Sequence, residues 1–458
     1  MPSTVQQPPS QQSLAPTPWS WRLGLFALCL AAASLALIAG ESLGPRGRAA
    51  CGLVCFLSLV AGLSRNLRQV SLRTLGVGLG LQVLLGLFIL RFEFTLSGVT
   101  CRPGYALFDS IGWVINRLLD FSLEGAKFVF GSLVDTERSG FIFAFRAMPT
   151  VIFISSFFTV LYHFGVLQVV VRVMSWVVVR LMGTSGAETL SATANVFMGQ
   201  TEAPLIVKPY VARMTESELL ALMVGGMATI SGGIMGGLLS LFPVEQREQI
   251  AVALLTTSVM AAPAGLYLSK LLVPETQESL TRGQVRMEAQ SPHTNAIDAA
   301  AAGASDGMKL VLNIIAMLIA FIAFIALADA LLAPLGTSLR AIFSTLFYPV
   351  AVLLGVEAGD TQPVAALLGT KLALNEFVAF LELTKPETLA SLSPRGQLLA
   401  AYALTGFANF ASIGIQLGGI GAIAPERRAD LARLGGWALF LGFLTTLVNA
   451  TVVGILLD

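Results

Sequence analysis

This 458-residue chain is poor in charged side chains and nearly without histidine. Only 12% of its residues are charged, against about a quarter in soluble globular proteins. Meanwhile 55% are hydrophobic and the mean hydropathy is +0.78, a balance that excludes an aqueous fold. Lys and Arg number 28 against 27 Asp and Glu, so the basic excess that phosphate backbones demand is missing and a nucleic-acid partner is excluded. The two histidines, His163 and His293, lie far apart without metal-ligand neighbours, which removes zinc and haem enzymes. The cysteines are Cys29, Cys51, Cys55 and Cys101. Cys51 and Cys55 share a helical face but have no histidine and no second cysteine pair beside them, so they read as small membrane-buried residues. No H-E-x-x-H is present, and Ser231 and Ser412 lack a histidine base, so an intramembrane enzyme is not expected.

Long apolar runs are what the chain has in abundance. A helix needs about twenty residues to cross the hydrocarbon core. Spans are predicted near 20–40, 49–64, 74–91, 149–182, 216–240, 248–272, 308–333, 397–420 and 434–457. Residues 1–19, rich in Pro, Gln and Ser, read as a disordered tail lacking the basic start of a signal peptide. Across 105–134, Asp109, Trp113, Arg117, Asp120, Glu124 and Lys127 recur every three or four residues, which predicts an amphipathic helix along the membrane interface. A polar loop over 275–300 leads into an Ala-rich helix beginning near Ala296. Arg65, Arg68 and Arg73 follow the second span, and Arg427, Arg428 and Arg433 precede the last. Excess positive charge faces the cytoplasm, so the N-terminus is expected inside and the C-terminus outside; Arg46 and Arg48 run against this scheme.

Two segments are too polar for plain spans and too apolar for loops. One, near 185–213, holds Asn195-Val-Phe-Met-Gly199-Gln200-Thr201-Glu202-Ala-Pro204; the other, near 361–385, holds Gly369-Thr-Lys371-Leu-Ala-Leu-Asn375-Glu376-Phe377. Each apolar half is too short to cross alone, which predicts a re-entrant helical hairpin. Behind each hairpin comes a span with a weak point, Gly225-Gly226-Met-Ala-Thr229-Ile-Ser231-Gly232-Gly233 and then Thr405-Gly406-Phe407-Ala-Asn409-Phe410-Ala-Ser412. Glycines beside hydroxyl and amide side chains predict local unwinding, tolerated at membrane depth only where the backbone lines protein or water. Paired interrupted segments of this kind point to a transporter's binding site. A carboxylate at the bilayer centre costs about 2.5–3.5 kcal/mol on insertion scales, so Glu202 and Glu376 need a reason to be there. Recognition of an uncharged, polyhydroxylated solute supplies one, because carboxylates accept from hydroxyls while Gln and Asn amides both donate and accept. The competing reading braces each glutamate against Lys208 or Lys371. Phe407 is a candidate apolar wall. Asn195, Thr201 and Thr229, with the carbonyls of Met198 and Ile230, form a candidate oxygen shell for a hard cation.

These residues resemble the concentrative nucleoside transporter family. The resemblance rests on Gly140-Phe-Ile-Phe-Ala-Phe-Arg146, Gly199-Gln-Thr-Glu-Ala-Pro-Leu205, Asn375-Glu-Phe-Val-Ala379, Gly406-Phe-Ala-Asn-Phe410 and Ser412, and it covers roughly 49–458 in order. It implies a multi-pass protein of the bacterial inner membrane: an all-α polytopic fold with about nine transmembrane helices, two re-entrant hairpins, interfacial helices and an inverted-repeat transport core. The 20–40 helix then reads as an N-terminal addition, 41–148 and the span after 307 as scaffold, 149–274 as the first transport repeat, and the remainder to 458 as the second. The family pattern implies a homotrimer with an elevator-like mobile region. It sets Gln200, Thr201 and Glu202 on the nucleobase, Glu376, Asn409 and Ser412 on the ribose, and Phe407 along the site. Sodium falls to Asn195, Met198, Thr201, Thr229 and Ile230. The Gly-Gln-Thr-Glu-Ala-Pro motif resembles sodium-coupled members, whereas proton-coupled members carry Gly-Gln-Ser-Glu; a proton symporter and a passive channel are the alternatives. Thr229, Phe380 and Ala411 depart from common family choices, the last two leaving base preference open.

Overall fold

Charge-free runs that meet lipid must satisfy their backbone N–H and C=O groups internally, and a helix does so within one segment. The computed structural model describes residues 15–96, 99–140, 142–283 and 293–457, and it is built almost wholly of helices. A short antiparallel hairpin, β1 (Phe94–Leu96) with β2 (Val99–Cys101), and an isolated bridge between Ser185 and Arg282 are the additions to the all-α expectation among the described residues. By length and composition, eight helical stretches among the described residues suffice to cross a membrane.

The first is α1 (Trp19–Ile38), which lies against α2 (Gly40–Leu63). The Arg22 guanidinium donates to the carbonyls of Ser64 (2.9 Å) and Arg65 (3.2 Å), capping the end of α2. The tail expected over 1–19 falls mostly outside the described residues, but its last part is anchored: the Leu67 N–H donates to Thr17 Oγ1 at 2.7 Å. Next come α3 (Leu72–Leu90) and α4 (Pro103–Phe130), the helix anticipated from its amphipathic period. One face of α4 buries Phe108, Leu119, Ser122 and Ala126, while Leu107, Ile111, Val114, Phe121 and Phe128 form an exposed apolar stripe at intervals of three, four and seven residues.

The span expected over 149–182 is two helices. Gly165, at φ +79°, takes the left-handed conformation that only glycine adopts freely, and it separates α5 (Met148–His163) from α6 (Val166–Met182). The single stretch expected over 397–420 is likewise divided, for reasons given below. Then follow α7 (Gly186–Ala194), the broken pair α8 (Glu216–Ala228) and α9 (Gly232–Leu239), and α10 (Val244–Leu272). The second half holds α11 (Ala296–Leu332), α12 (Leu339–Leu353), α13 (Thr361–Ala373), α14 (Glu376–Leu383), α15 (Pro394–Leu404), α16 (Phe410–Ile423) and α17 (Arg428–Leu456). Helices α8, α10 and α17 are nearly enclosed, whereas α1 and α11 turn most of their apolar surface outward, as lipid-facing helices do.

Small residues set the closest approaches. Any side chain at Gly303 or Gly307 of α11 would run into the backbone of Ser156 or Ile152 on α5 (2.8 and 2.7 Å from the Cα atoms), a small-xxx-small contact. On an adjoining face, α5 meets Gly232, Gly233, Gly236 and Gly237 of α9. The Arg clusters expected on one face do share it, since Arg65 (2.6 Å) and Arg433 (2.9 Å) both pair with Glu216. Arg46 lies at the far end because it caps α17, donating to the Leu457 carbonyl at 2.8 Å beside Arg91, which donates to Leu456.

A buried polar network ties α3, α10 and α17 together. Tyr267 Oη donates to Gln82 Oε1 (2.8 Å), Gln82 Nε2 to Asn449 Oδ1 (2.6 Å), and Asn449 Nδ2 to the Thr257 carbonyl (3.0 Å). Gln82→Leu would leave both the Tyr267 hydroxyl and Asn449 Oδ1 unpaired. A cost of about 1–3 kcal/mol per orphaned group is expected, read as a lower thermal-unfolding midpoint in detergent.

Candidate functional site

Each half of the chain contains a helix that stops in mid-course. In the first, α8 ends at Thr229, whose backbone is extended, and α9 restarts behind the Ser231 side chain, which accepts from the Ile234 N–H. In the second, α15 ends at extended Thr405 and α16 restarts behind Asn409, whose Oδ1 accepts from the Ser412 N–H at 3.0 Å. Both threonines bond back one turn, Thr229 Oγ1 to the Gly225 carbonyl (2.9 Å) and Thr405 Oγ1 to the Ala401 carbonyl (2.7 Å). The Ser and Asn caps are the favoured residues for a helix start, so each break carries its own start signal.

The two breaks touch. The Phe407 N–H donates to the Thr229 carbonyl at 3.2 Å, giving one orphan group of each interrupted helix a partner in the other. Gly406 is required twice over: its φ is +110°, and a Cβ there would stand 3.0 Å from the Met227 and Ala228 carbonyl oxygens.

Hairpin tips close on this crossing. Behind α7, the tip runs through Asn195 to Glu202 before helical turns at Ala203–Ile206 and Lys208–Val211. It rests on the first break through the Phe197 carbonyl, which accepts from the Gly232 N–H at 3.0 Å. The second tip, between α13 and α14, ends on Asn375, whose Oδ1 accepts from the Val378 N–H at 2.8 Å and caps α14. Glu376 therefore opens a helix, where unpaired N–H groups and the macrodipole favour a carboxylate.

From Glu376 a continuous chain of polar side chains crosses from one half to the other. Asn409 Nδ2 donates to Glu376 Oε2 (3.1 Å), and Ser412 Oγ donates to Asn409 Oδ1 (3.3 Å). Gln200 Nε2 donates to Ser412 Oγ (3.2 Å), and Gln416 Nε2 donates to Gln200 Oε1 (3.2 Å) and to the Met223 carbonyl (3.0 Å). All five side chains are buried. Gln416 was not anticipated, yet Asn409, Ser412 and Gln416 stand at i, i+3 and i+7, one polar stripe on an otherwise apolar helix.

The other anticipated residues lie at the margin of that chain. Glu202 is exposed, and its Oε2 accepts from the Gly199 N–H at 2.8 Å. Thr201 is half-buried with its methyl group toward Gly419 of α16. The Phe407 ring is half-buried. Phe380 is enclosed, packed edge-on against Phe242 with ring centroids 6.1 Å apart. Asn195 Nδ2 donates to the Ser191 carbonyl at 3.0 Å, while Asn195 Oδ1, fully buried beside Gly225, has no hydrogen-bond partner. Gly225 lies one turn before Thr229, so an acceptor short of a donor stands near the first break. Lysine braces are not what hold the glutamates: Lys208 is exposed, and the three hydrogen bonds of Lys371 go to Ala403, Thr405 and Thr446.

Comparison with known proteins converges on one group. Residues 51–133 match the family model described as Na+ dependent nucleoside transporter N-terminus, 144–243 that of Nucleoside recognition, and 253–454 that of Na+ dependent nucleoside transporter C-terminus. An uncharacterized transporter of Haemophilus influenzae is 39% identical over 417 residues, covering 88% of this chain and 96% of that one. Sodium/nucleoside cotransporter 1 of Mus musculus is 42% identical over 426 residues, again 88% of this chain but 63% of the longer mammalian protein. The structure of CNTnw in an inward-facing substrate-bound state shares 36% identity at a TM-score of 0.80, covering 89% of this chain and 97% of that one. Sequence, architecture and the doubled hairpin-and-broken-helix pattern agree, and the chain belongs to the concentrative nucleoside transporters, a family of multi-pass membrane transporters and not of enzymes.

Proposed function

We propose that the chain takes up nucleosides by sodium symport with alternating access. The observation that carries this is the buried path from Glu376 through Asn409 and Ser412 to Gln200, which joins both hairpins at the crossing of the two broken helices. Glu376 keeps free lone pairs beyond the one Asn409 engages, and paired ribose hydroxyls are the donors that fill them. Glu376, Asn409 and Ser412 hold the ribose. Gln200, Thr201 and Glu202 address the base, with Phe407 as the apolar wall, and Gln416 orients the Gln200 amide. Asn195, Met198, Thr201, Thr229 and Ile230 surround the sodium ion.

A cation against Asn195 Oδ1 ties the first tip to the break in α8 and α9, so nucleoside then binds a site already ordered. Linkage makes the effect mutual: nucleoside tightens sodium by the same factor. One charge moving inward through 100 mV supplies about 2.3 kcal/mol, to which the sodium gradient adds. The glycine face of α9 on α5 suits displacement of the hairpins past a fixed scaffold of α5 and α11, which moves α5 out of the transport repeat expected over 149–274 and into the scaffold. The shared face of Arg65 and Arg433 supports a cytoplasmic N-terminus and a periplasmic C-terminus in a bacterial inner membrane. The exposed stripe of α4 offers an apolar surface to the neighbouring copies of a homotrimer.

Radiolabelled uridine uptake into proteoliposomes under imposed gradients tests the reading. An inward sodium gradient is expected to drive accumulation that a sodium ionophore abolishes; accumulation under a proton gradient alone would transfer the coupling to protons, and equilibration without accumulation would make the protein a channel. Glu376→Gln loses two charge-assisted hydrogen bonds worth about 1.5–3 kcal/mol each, so uridine affinity should fall roughly 100-fold or more by isothermal titration while yield and elution volume stay unchanged; loss of folding instead would return the residue to a structural role. Gln416→Leu removes two neutral hydrogen bonds and should weaken uridine binding about tenfold, with the sodium dependence intact.

A further inference from the structure

Helix α6 follows a span but does not cross back. The stretch before it, Phe143–His163, is long and apolar enough to cross a membrane, whereas α6 itself is not. Both of its ends stand at the face of Arg65 and Glu216. At the C-terminal end, Arg73 donates to the carbonyls of Arg180 (2.8 Å) and Leu181 (3.1 Å), and the Gly186 N–H just beyond donates to the Thr281 carbonyl (2.8 Å). Helix α10 ends at the same face, its Leu272 carbonyl accepting from the Arg65 N–H at 2.9 Å, so the next span, α11, begins there. The last turns of α5, which lead into α6, lie against that start: Ser156 Oγ donates to the Ala300 carbonyl at 2.8 Å. A helix that leaves and regains one face lies along it. Leu167, Val171, Ser175, Val178 and Met182 are buried against the protein. Thr193 Oγ1 of α7 gives its proton to the Thr189 carbonyl, so Ser175 Oγ donates to Thr193 and ties α6 to the first hairpin arm. The other side exposes Val166, Val169, Val173 and Trp176. Arg172, Trp176 and Arg180 form one exposed row, four residues apart.

Charge separates α6 from the other amphipathic helix. In α4 opposite charges neutralise one another, Arg117 with Asp120 and Lys127 with Glu124. Helix α6 contains no acidic residue, and neither Arg172 nor Arg180 has a side-chain hydrogen bond or ion pair among the described residues. An apolar stripe with an indole settles at headgroup depth, and a guanidinium free at that depth pairs with phosphate through two parallel N–H donors. A zwitterionic lipid brings its own cation to the same place, so net negative charge is what the arginines select. We infer that α6 is a docking surface for anionic phospholipids of the leaflet on the Arg65 face, held by Arg172 and Arg180, and that lipid bound there steadies the base of the first hairpin. The coupling is mechanical. Only residues 183–185 separate α6 from α7, and Ser175 joins the two helices directly, so headgroups gripping one side of α6 restrain the arm on the other.

Two measurements test this. The first reads the lipid beside Trp176 in the full chain with Trp19, Trp21, Trp113 and Trp437 replaced by Phe, through quenching by brominated phosphatidylglycerol or brominated phosphatidylcholine in mixed bilayers. Phosphatidylglycerol should be preferred at least about fivefold, the factor one arginine supplies near an anionic surface. Arg172→Gln with Arg180→Gln should bring the preference to about one, while Lys at both positions keeps most of it. Equal quenching by the two lipids, or a Gln pair with undiminished preference, overturns the docking surface. The second measurement uses the protein with all its tryptophans. Sodium-driven uridine uptake should run about fivefold faster in phosphatidylcholine vesicles holding about a third phosphatidylglycerol than in phosphatidylcholine alone. The Gln pair should transport equally in both, with its uridine affinity in detergent unchanged. Wild-type uptake equal in the two membranes overturns the restraint on the hairpin. Quenching is read without transport, so failure of the symport reading leaves that result standing.

Discussion

The bond from the Phe407 N–H to the Thr229 carbonyl is the constraint around which the molecule is arranged. Two helices have been interrupted where water is scarce, and every N–H and C=O freed by the interruption must find a partner or be repaid in lost stability. Crossing the two gaps lets each supply part of what the other lacks. The remaining groups are met by Ser231 and Asn409 as caps, by the back-bonded Thr229 and Thr405, and by Lys371. Among the groups left unmet are Asn195 Oδ1, Gln416 Oε1 and the spare lone pairs of Glu376, which leave the protein capacity for something that is not protein.

Much of this was legible before any coordinates. The amphipathic period of α4, the paired polar segments around Glu202 and Glu376, and the weak points at Thr229 and Thr405 follow from residue type and spacing, since hydrophobic length and glycine position act locally. Other features depend on partners distant in the chain. That Lys371 serves carbonyls and not Glu376 is decided by Thr405 and Thr446. That Glu202 sits at the edge while Glu376 is enclosed depends on how each tip meets α16. The division at Gly165 was hidden because Val166 to Met182 is apolar enough to pass for a continuation, and only the left-handed glycine separates the two helices. Gln416 was overlooked although its position relative to Asn409 and Ser412 carried the signal.

Arg46 illustrates how a charge rule can be overridden. Loop arginines report orientation because they resist transfer across the bilayer, but Arg46, Arg91 and Arg395 have a local task at the opposite face. Each donates to a carbonyl at the C-terminal end of α17, at Leu457 just past the helix, Leu456 and Gly454 respectively, where the helix dipole welcomes positive charge. The clustering that matters for orientation is the one around Glu216.

The glycine face of α9 has a mechanical corollary. Helices normally lock by setting the ridges of one into the grooves of the other, so sliding means lifting side chains over one another. Gly232, Gly233, Gly236 and Gly237 offer no ridges to Val151, Ile154, Ser155 and Phe158 of α5. If the hairpins move as proposed, friction along that seam would be correspondingly low, and ordering of the hairpin tips around their cargo would be left to set the pace.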